Sequence, residues 1–126
     1  MSTWTSICRF DELLPERGVA ALVEGTQIAI FRLHDDSLHA VDHHDPLSGA
    51  NVIARGLVGT RGDVPVVVSP MYKQAFDLRT GRCLDEDAAL AVHEVRVVDG
   101  VVEVRAAATD TAADAGAAVS AGTVTT

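Results

Sequence analysis

Residues 67–84 read VVSPMYKQAFDLRTGRCL, and the fold turns on how this stretch breaks. An apolar run, VPVVVS (64–69), stops at Pro70. A shorter strand, AFDL (75–78), follows and is closed by the turn pair Thr80-Gly81. Ser69 precedes Pro70 without the G-x-S-x-G elbow that lifts a nucleophile above a sheet, so it does not read as a hydrolase serine.

Working outward, the same grammar recurs. GVAALV (18–23) and TQIAIFRL (26–33) are joined by Glu24 and Gly25, a two-residue hairpin signal. HDDS (34–37) separates Leu33 from LHAV (38–41). HEVRVV (93–98) and VVEVR (101–105) flank Asp99-Gly100, a pair suited to a type I′ turn because both central residues need positive φ. The only helical turn expected is in FDELLPERG (10–18), with Asp11 as its cap and Pro15 limiting its length. The glycines Gly56, Gly59 and Gly62 do not form a dinucleotide-binding G-x-G-x-x-G and are read as turn formers. Many short strands with almost no helix predict an all-β antiparallel sandwich or small barrel.

Composition bounds what the domain does. With 126 residues and a formal net charge of −8, the chain is one domain with scattered basic residues, which excludes a phosphate-binding surface for nucleic acid. No apolar run reaches the roughly 20 residues that span a bilayer, and MSTWTSICRF (1–10) is not laid out as a secretion signal, so a cytoplasmic protein is expected. Residues 1–105 form the expected domain. The Ala/Thr-rich stretch 106–126 has too little apolar surface to offset its ordering entropy and is expected to be a disordered tail. Cys8 and Cys83 belong to no C-x-x-C pair and read as free thiols.

His43, His44 and Asp45 in VDHHDP (41–46) invite a zinc or non-haem iron site. Adjacent strand residues point to opposite faces, however, and a third ligand at usable spacing is missing. The histidines are read as surface and loop residues that titrate near neutral pH.

DPLSGANVIARGLVG (45–59) and SPMYKQAFDLRTGRCLDE (69–86) together resemble the cluster-binding loops of Rieske iron–sulfur proteins, whose pattern is Cys-x-His followed by Cys-Pro-x-His. Such centres hold one iron by two thiolates and the other by two imidazoles. On that pattern Asp45 and Ser69 stand at the cysteine positions, and Leu47 and Tyr72 at the histidine positions. Leucine has no lone pair, and a serine hydroxyl is neither soft nor deprotonated near neutral pH, so no cluster, metal or catalytic group is expected in this chain.

With this departure, and with WTSICRFDELLPERGVAALVEGTQIAIFRL (4–33) before it, the chain resembles the small subunit of the assimilatory NADH-dependent nitrite reductase. The resemblance implies a Rieske-like β-sandwich with a smaller loop-rich subdomain in place of the cluster-binding one. It also implies an accessory role in nitrite reduction to ammonium during nitrate assimilation. The partner it implies is a large subunit carrying FAD, sirohaem and an iron–sulfur cluster. Leu47 and Tyr72 are bulky enough to fill the space a cluster leaves. With Pro46, Pro70, Met71 and Lys73 they are also the candidate partner interface. The alternative is a Rieske-like protein-binding adapter for another oxidoreductase or oxygenase.

Overall fold

The structure, a computed structural model, describes residues 4–71 and 73–107. Within them the chain is all-β and antiparallel. Strands β1 (Thr5–Arg9), β2 (Arg17–Val23), β3 (Thr26–Arg32), β4 (Leu38–Asp42), β8 (Val92–Val98) and β9 (Val101–Arg105) form a six-stranded sheet in the order β1-β9-β8-β4-β3-β2. Strands β5 (Leu57–Arg61), β6 (Val64–Val68) and β7 (Ala75–Asp77) form a second, three-stranded sheet inserted between β4 and β8.

The expected hairpins form where the turn residues permit. Glu24 and Gly25 have φ of 50° and 83°, and Asp99 and Gly100 have 51° and 79°, the left-handed pairs that match the twist of two-residue hairpins.

β3 is buried on both faces, and this places the two layers. Ala29, Phe31 and Leu33 pack with Val41, Val67 and Phe76 between the sheets. Ile28 and Ile30 point the other way, into a second core with Leu13, Val23, Val102 and Val104 inside the curved large sheet. Gly81 anchors the small sheet to the chain leading into β8. Its φ is +80°, its N–H bonds Asp77 O, and a Cβ there would lie 1.9 Å from Leu90 O.

Three local expectations are corrected. The first helical turn is a 3-10 turn at Phe10–Glu12, and its cap is not Asp11; the Arg9 N–H is accepted by Glu12 Oε1 at 2.9 Å. A second 3-10 turn, Ile53–Arg55, buries Ile53. Gly59 is not a turn former but the centre of β5, a strand masked in the sequence by its glycines; Gly62 does make the turn, with φ +63°. Ala106 packs in the second core, and Ala107 N–H bonds His93 Nδ1 at 2.9 Å. Residues 108–126, most of the expected tail, lie outside the described residues.

Candidate functional site

Two loops meet at one end of the small sheet, and they are built alike. In the first, Asp45 N–H donates to Ala50 O at 2.8 Å and Gly49 N–H donates to Asp45 O at 2.8 Å. In the second, Ser69 N–H donates to Gln74 O at 2.9 Å and Lys73 N–H donates to Ser69 O at 3.0 Å. Each loop closes through a residue with positive φ, Gly49 at 79° and Lys73 at 67°.

The leading side chain of each loop also accepts the N–H two residues on. Leu47 N–H donates to Asp45 Oδ1 at 2.9 Å, and Met71 N–H donates to Ser69 Oγ at 3.2 Å. Asx and Ser turns of this kind let a short side chain stand in for a backbone acceptor.

The loops are then tied to each other. Ser69 Oγ donates to Asp45 Oδ2 at 2.6 Å, and both residues are fully buried. Burial alone pushes the Asp45 carboxyl up, but the bonds from Ser69, Leu47 and Ser48 outweigh it and hold the group below the usual carboxylate range. An ionised, fully bonded Asp45 is therefore the joint between the two loops.

The other expected residues divide between inside and outside. Leu47 is half-buried and packs on the core between the sheets. Pro46, Pro70, Met71 and Lys73 are exposed; Tyr72 lies outside the described residues. Leu57 and Leu84 extend the exposed apolar surface, at 74% and 41%. Leu57 begins the cross-strand row Leu57–Val68–Ala75, and Leu84 joins its other end by donating its N–H to Ala75 O at 2.8 Å. Sequence reading missed them because an exposed leucine carries no local signal, only a cross-strand neighbour.

His43 is not a surface residue. It is buried, its Nδ1 accepts the Ala54 N–H at 3.1 Å, and burial with Arg55 nearby pushes its pKa down. His44, next along, is exposed and bonds Asn51 Oδ1 at 3.0 Å. The two rings are not brought together, one being buried and the other exposed, although the chain at His43 has already left β4 and bends. Arg79, in the turn after β7, is exposed and paired with Asp77 at 3.3 Å.

Fold and site together define a Rieske-type β-domain whose two ligand loops are closed by oxygen side chains. The profile of the Rieske-like [2Fe-2S] domain family matches residues 3–105. The nitrite reductase (NADH) small subunit of Escherichia coli K12 is 43% identical over 107 residues, covering 83% of this chain and 99% of that subunit. A crystal structure from Mycobacterium tuberculosis, assigned as an NADH-dependent nitrite reductase small subunit, superposes with a TM-score of 0.82 at 46% identity, covering 86% of this chain and 99% of that one. The nitrite reductase [NAD(P)H] large subunit of Klebsiella oxytoca contains a stretch 41% identical over 100 residues, 79% of this chain and 10% of that subunit. The chain belongs to the Rieske-like family and, within it, to the small subunits of NADH-dependent nitrite reductase.

The residues at the ligand positions do not fit the [2Fe-2S] group of the family's description. A two-iron centre needs thiolates on one iron and imidazoles on the other. Here the two cysteine positions are an acid and a hydroxyl bonded to each other at 2.6 Å, and Leu47 packs on the core.

Proposed function

We propose that this chain is the accessory small subunit of a cytoplasmic NADH-dependent nitrite reductase that serves nitrate assimilation. It docks on a large subunit that holds FAD, sirohaem and an iron–sulfur cluster, and it contributes no catalytic group and no redox centre of its own. The observation that carries this reading is the 43% identity to a nitrite reductase (NADH) small subunit across 99% of that protein's length. The Klebsiella large subunit supports the partnership, because a stretch similar to this domain lies within the same polypeptide as the rest of that subunit. The mutual bond of Asp45 and Ser69 supports the absence of a cluster, since both groups are already engaged.

The docking surface is the loop end of the small sheet. Pro46, Pro70, Met71 and Lys73 are exposed there beside Leu57, an apolar centre with a charged rim of the kind that anchors protein partners. Leu47 supports it from beneath. The decisive experiment is NADH-linked nitrite reduction by the large subunit with and without this chain. The reading fails if the chain neither binds the large subunit nor changes its turnover or its lifetime.

A further inference from the structure

β5 leaves one edge of the small sheet open. Its hairpin with β6 turns through Gly62 and Asp63, so Arg61–Val64, Gly59–Val66 and Leu57–Val68 are the hydrogen-bonded pairs. The far side of β6 agrees: Pro65 O accepts from Leu78 N–H and Ser69 N–H donates to Gln74 O, both at 2.9 Å, so the odd-numbered residues of β6 face away from β5. Val58 and Thr60 therefore aim their N–H and C=O groups outward. Among the described residues nothing bonds them.

The other strands at sheet margins are protected. β7 is followed on its outer side by the bridges Phe76–Cys83 and Arg82–Ala89. β2 lies against the second 3-10 turn, so closely that a Cβ on Gly18 would sit 2.3 Å from Ala54 O. β1 carries a break in register between Ser6 and Cys8. β5, reading LVGTR, has no proline, no bulge and no charge before Arg61, whose guanidinium is turned to Asp85 at 2.8 Å. Proteins ordinarily block such an edge.

A groove of about 570 Å³ lies between the turn that joins β3 to β4 and the small sheet, with β5 as one wall and its floor reaching across Pro65 of β6 to Arg79 beyond β7. Leu33, Val58 and Pro65 give it an apolar lining, with three carboxylates, Glu16, Asp35 and Asp63, of which Glu16 lies 3.3 Å from His34. The charge of Arg79, which also lines it, is offset by Asp77. Backbone donors and acceptors repeating every second residue are matched only by another extended chain. The acidic lining beside the edge selects a basic one, and it opposes a second copy of this chain, which also carries a net charge of −8.

We infer that β5 receives an extended, basic segment of the large subunit as a fourth strand of the small sheet. This rests on the partnership proposed above. It continues the loop-end surface directly, since β5 starts at the exposed Leu57.

The test uses the full-length chain and the cofactor-loaded large subunit, with hydrogen exchange read amide by amide. On complex formation the Val58 and Thr60 amides slow by about tenfold or more, while Leu57, Gly59 and Arg61, already bonded within the sheet, change little. Thr60→Pro removes the outward N–H without breaking a bond to β6, and Gly59 before it tolerates the backbone that proline imposes. Its affinity falls about tenfold or more, Thr60→Ala stays within about twofold of wild type, and Asp63→Lys weakens binding several-fold. A thermal melt of each variant checks the fold, and the wild-type exchange pattern stands if Thr60→Pro unfolds. Binding of wild type without the alternating protection, or protection in the isolated chain together with dimerisation, overturns the inference alone. No binding by wild type overturns the inference and the partnership together.

Discussion

Ser69 Oγ donates to Asp45 Oδ2 at 2.6 Å across 24 residues of sequence, and neither side chain reaches solvent. Two loops that would otherwise be held by a shared inorganic group are joined here by a charge-assisted hydrogen bond. Ser69→Ala leaves a buried carboxylate short of one donor and is expected to cost about 1–3 kcal/mol, read as a lower urea midpoint at unchanged slope. Because Asp45 titrates below its ordinary value of 3.8 when folded, its contribution is complete above that value and is lost as pH falls through the lower, folded pKa. Ser69→Ala therefore also moves acid unfolding to higher pH. An unchanged acid midpoint would show that the bond does not hold the carboxylate.

Histidine burial sets a second pH window. His39 and His43 are both pushed below their ordinary 6.5, chiefly by burial. The unfolded chain then binds more protons than the folded one between the lowered values and about 6.5. Stability is expected to be full above that window and to decline as pH falls through it. Protonating His43 would also set a ring N–H against the Ala54 N–H. Melting curves at stepped pH check the sign; a rise in stability on acidification through this range would contradict it.

Lys73 occupies the left-handed region at φ 67° where the companion loop has Gly49 at 79°. A side chain with a Cβ is strained there, by about 1–2 kcal/mol. Part of that gain is offset by the extra freedom glycine has when unfolded. Lys73→Gly is therefore expected to stabilise the isolated chain by about 0.5–1 kcal/mol, in contrast to most substitutions. Denaturant titration of the variant against wild type measures it.

Met71 is 49% exposed at the loop end. Met71→Asp places a charge in the apolar centre of the proposed interface and is expected to weaken large-subunit binding by about tenfold or more with no loss of stability in the isolated chain. Tyr72→Ala is the companion variant. Co-purification unchanged in both would move the interface elsewhere.

Elemental analysis of the purified chain is expected to find neither stoichiometric iron nor acid-labile sulfide. The reason is chemical, because a carboxylate, a hydroxyl, a leucine and a tyrosine replace two thiolates and two imidazoles. Iron and sulfide in equal, near-stoichiometric amounts would overturn the reading of these loops.

Much of this was legible along the chain. Strand periodicity, the Asp99-Gly100 and Glu24-Gly25 hairpins and the exchanged residues at positions 45, 47, 69 and 72 depend only on near neighbours in sequence, and they led to the fold and the family. β5 was hidden because Gly59 reads as a turn former like its neighbours, although only Gly56, which closes the second 3-10 turn, and Gly62 serve as such. The 3-10 cap was misplaced because two acidic residues compete for it, and only geometry shows that Glu12 reaches the Arg9 N–H.

The amino-acid order alone determined which chemistry the loops lack and where the chain turns, because side-chain donors and local φ preferences belong to each residue and its neighbours. Tertiary structure decided that Asp45 meets Ser69, that His43 is buried while His44 is not, and that β5 keeps a free edge among the described residues. Those outcomes depend on which distant segments are brought together and on what water each placement removes, and a sequence of neighbours does not contain that.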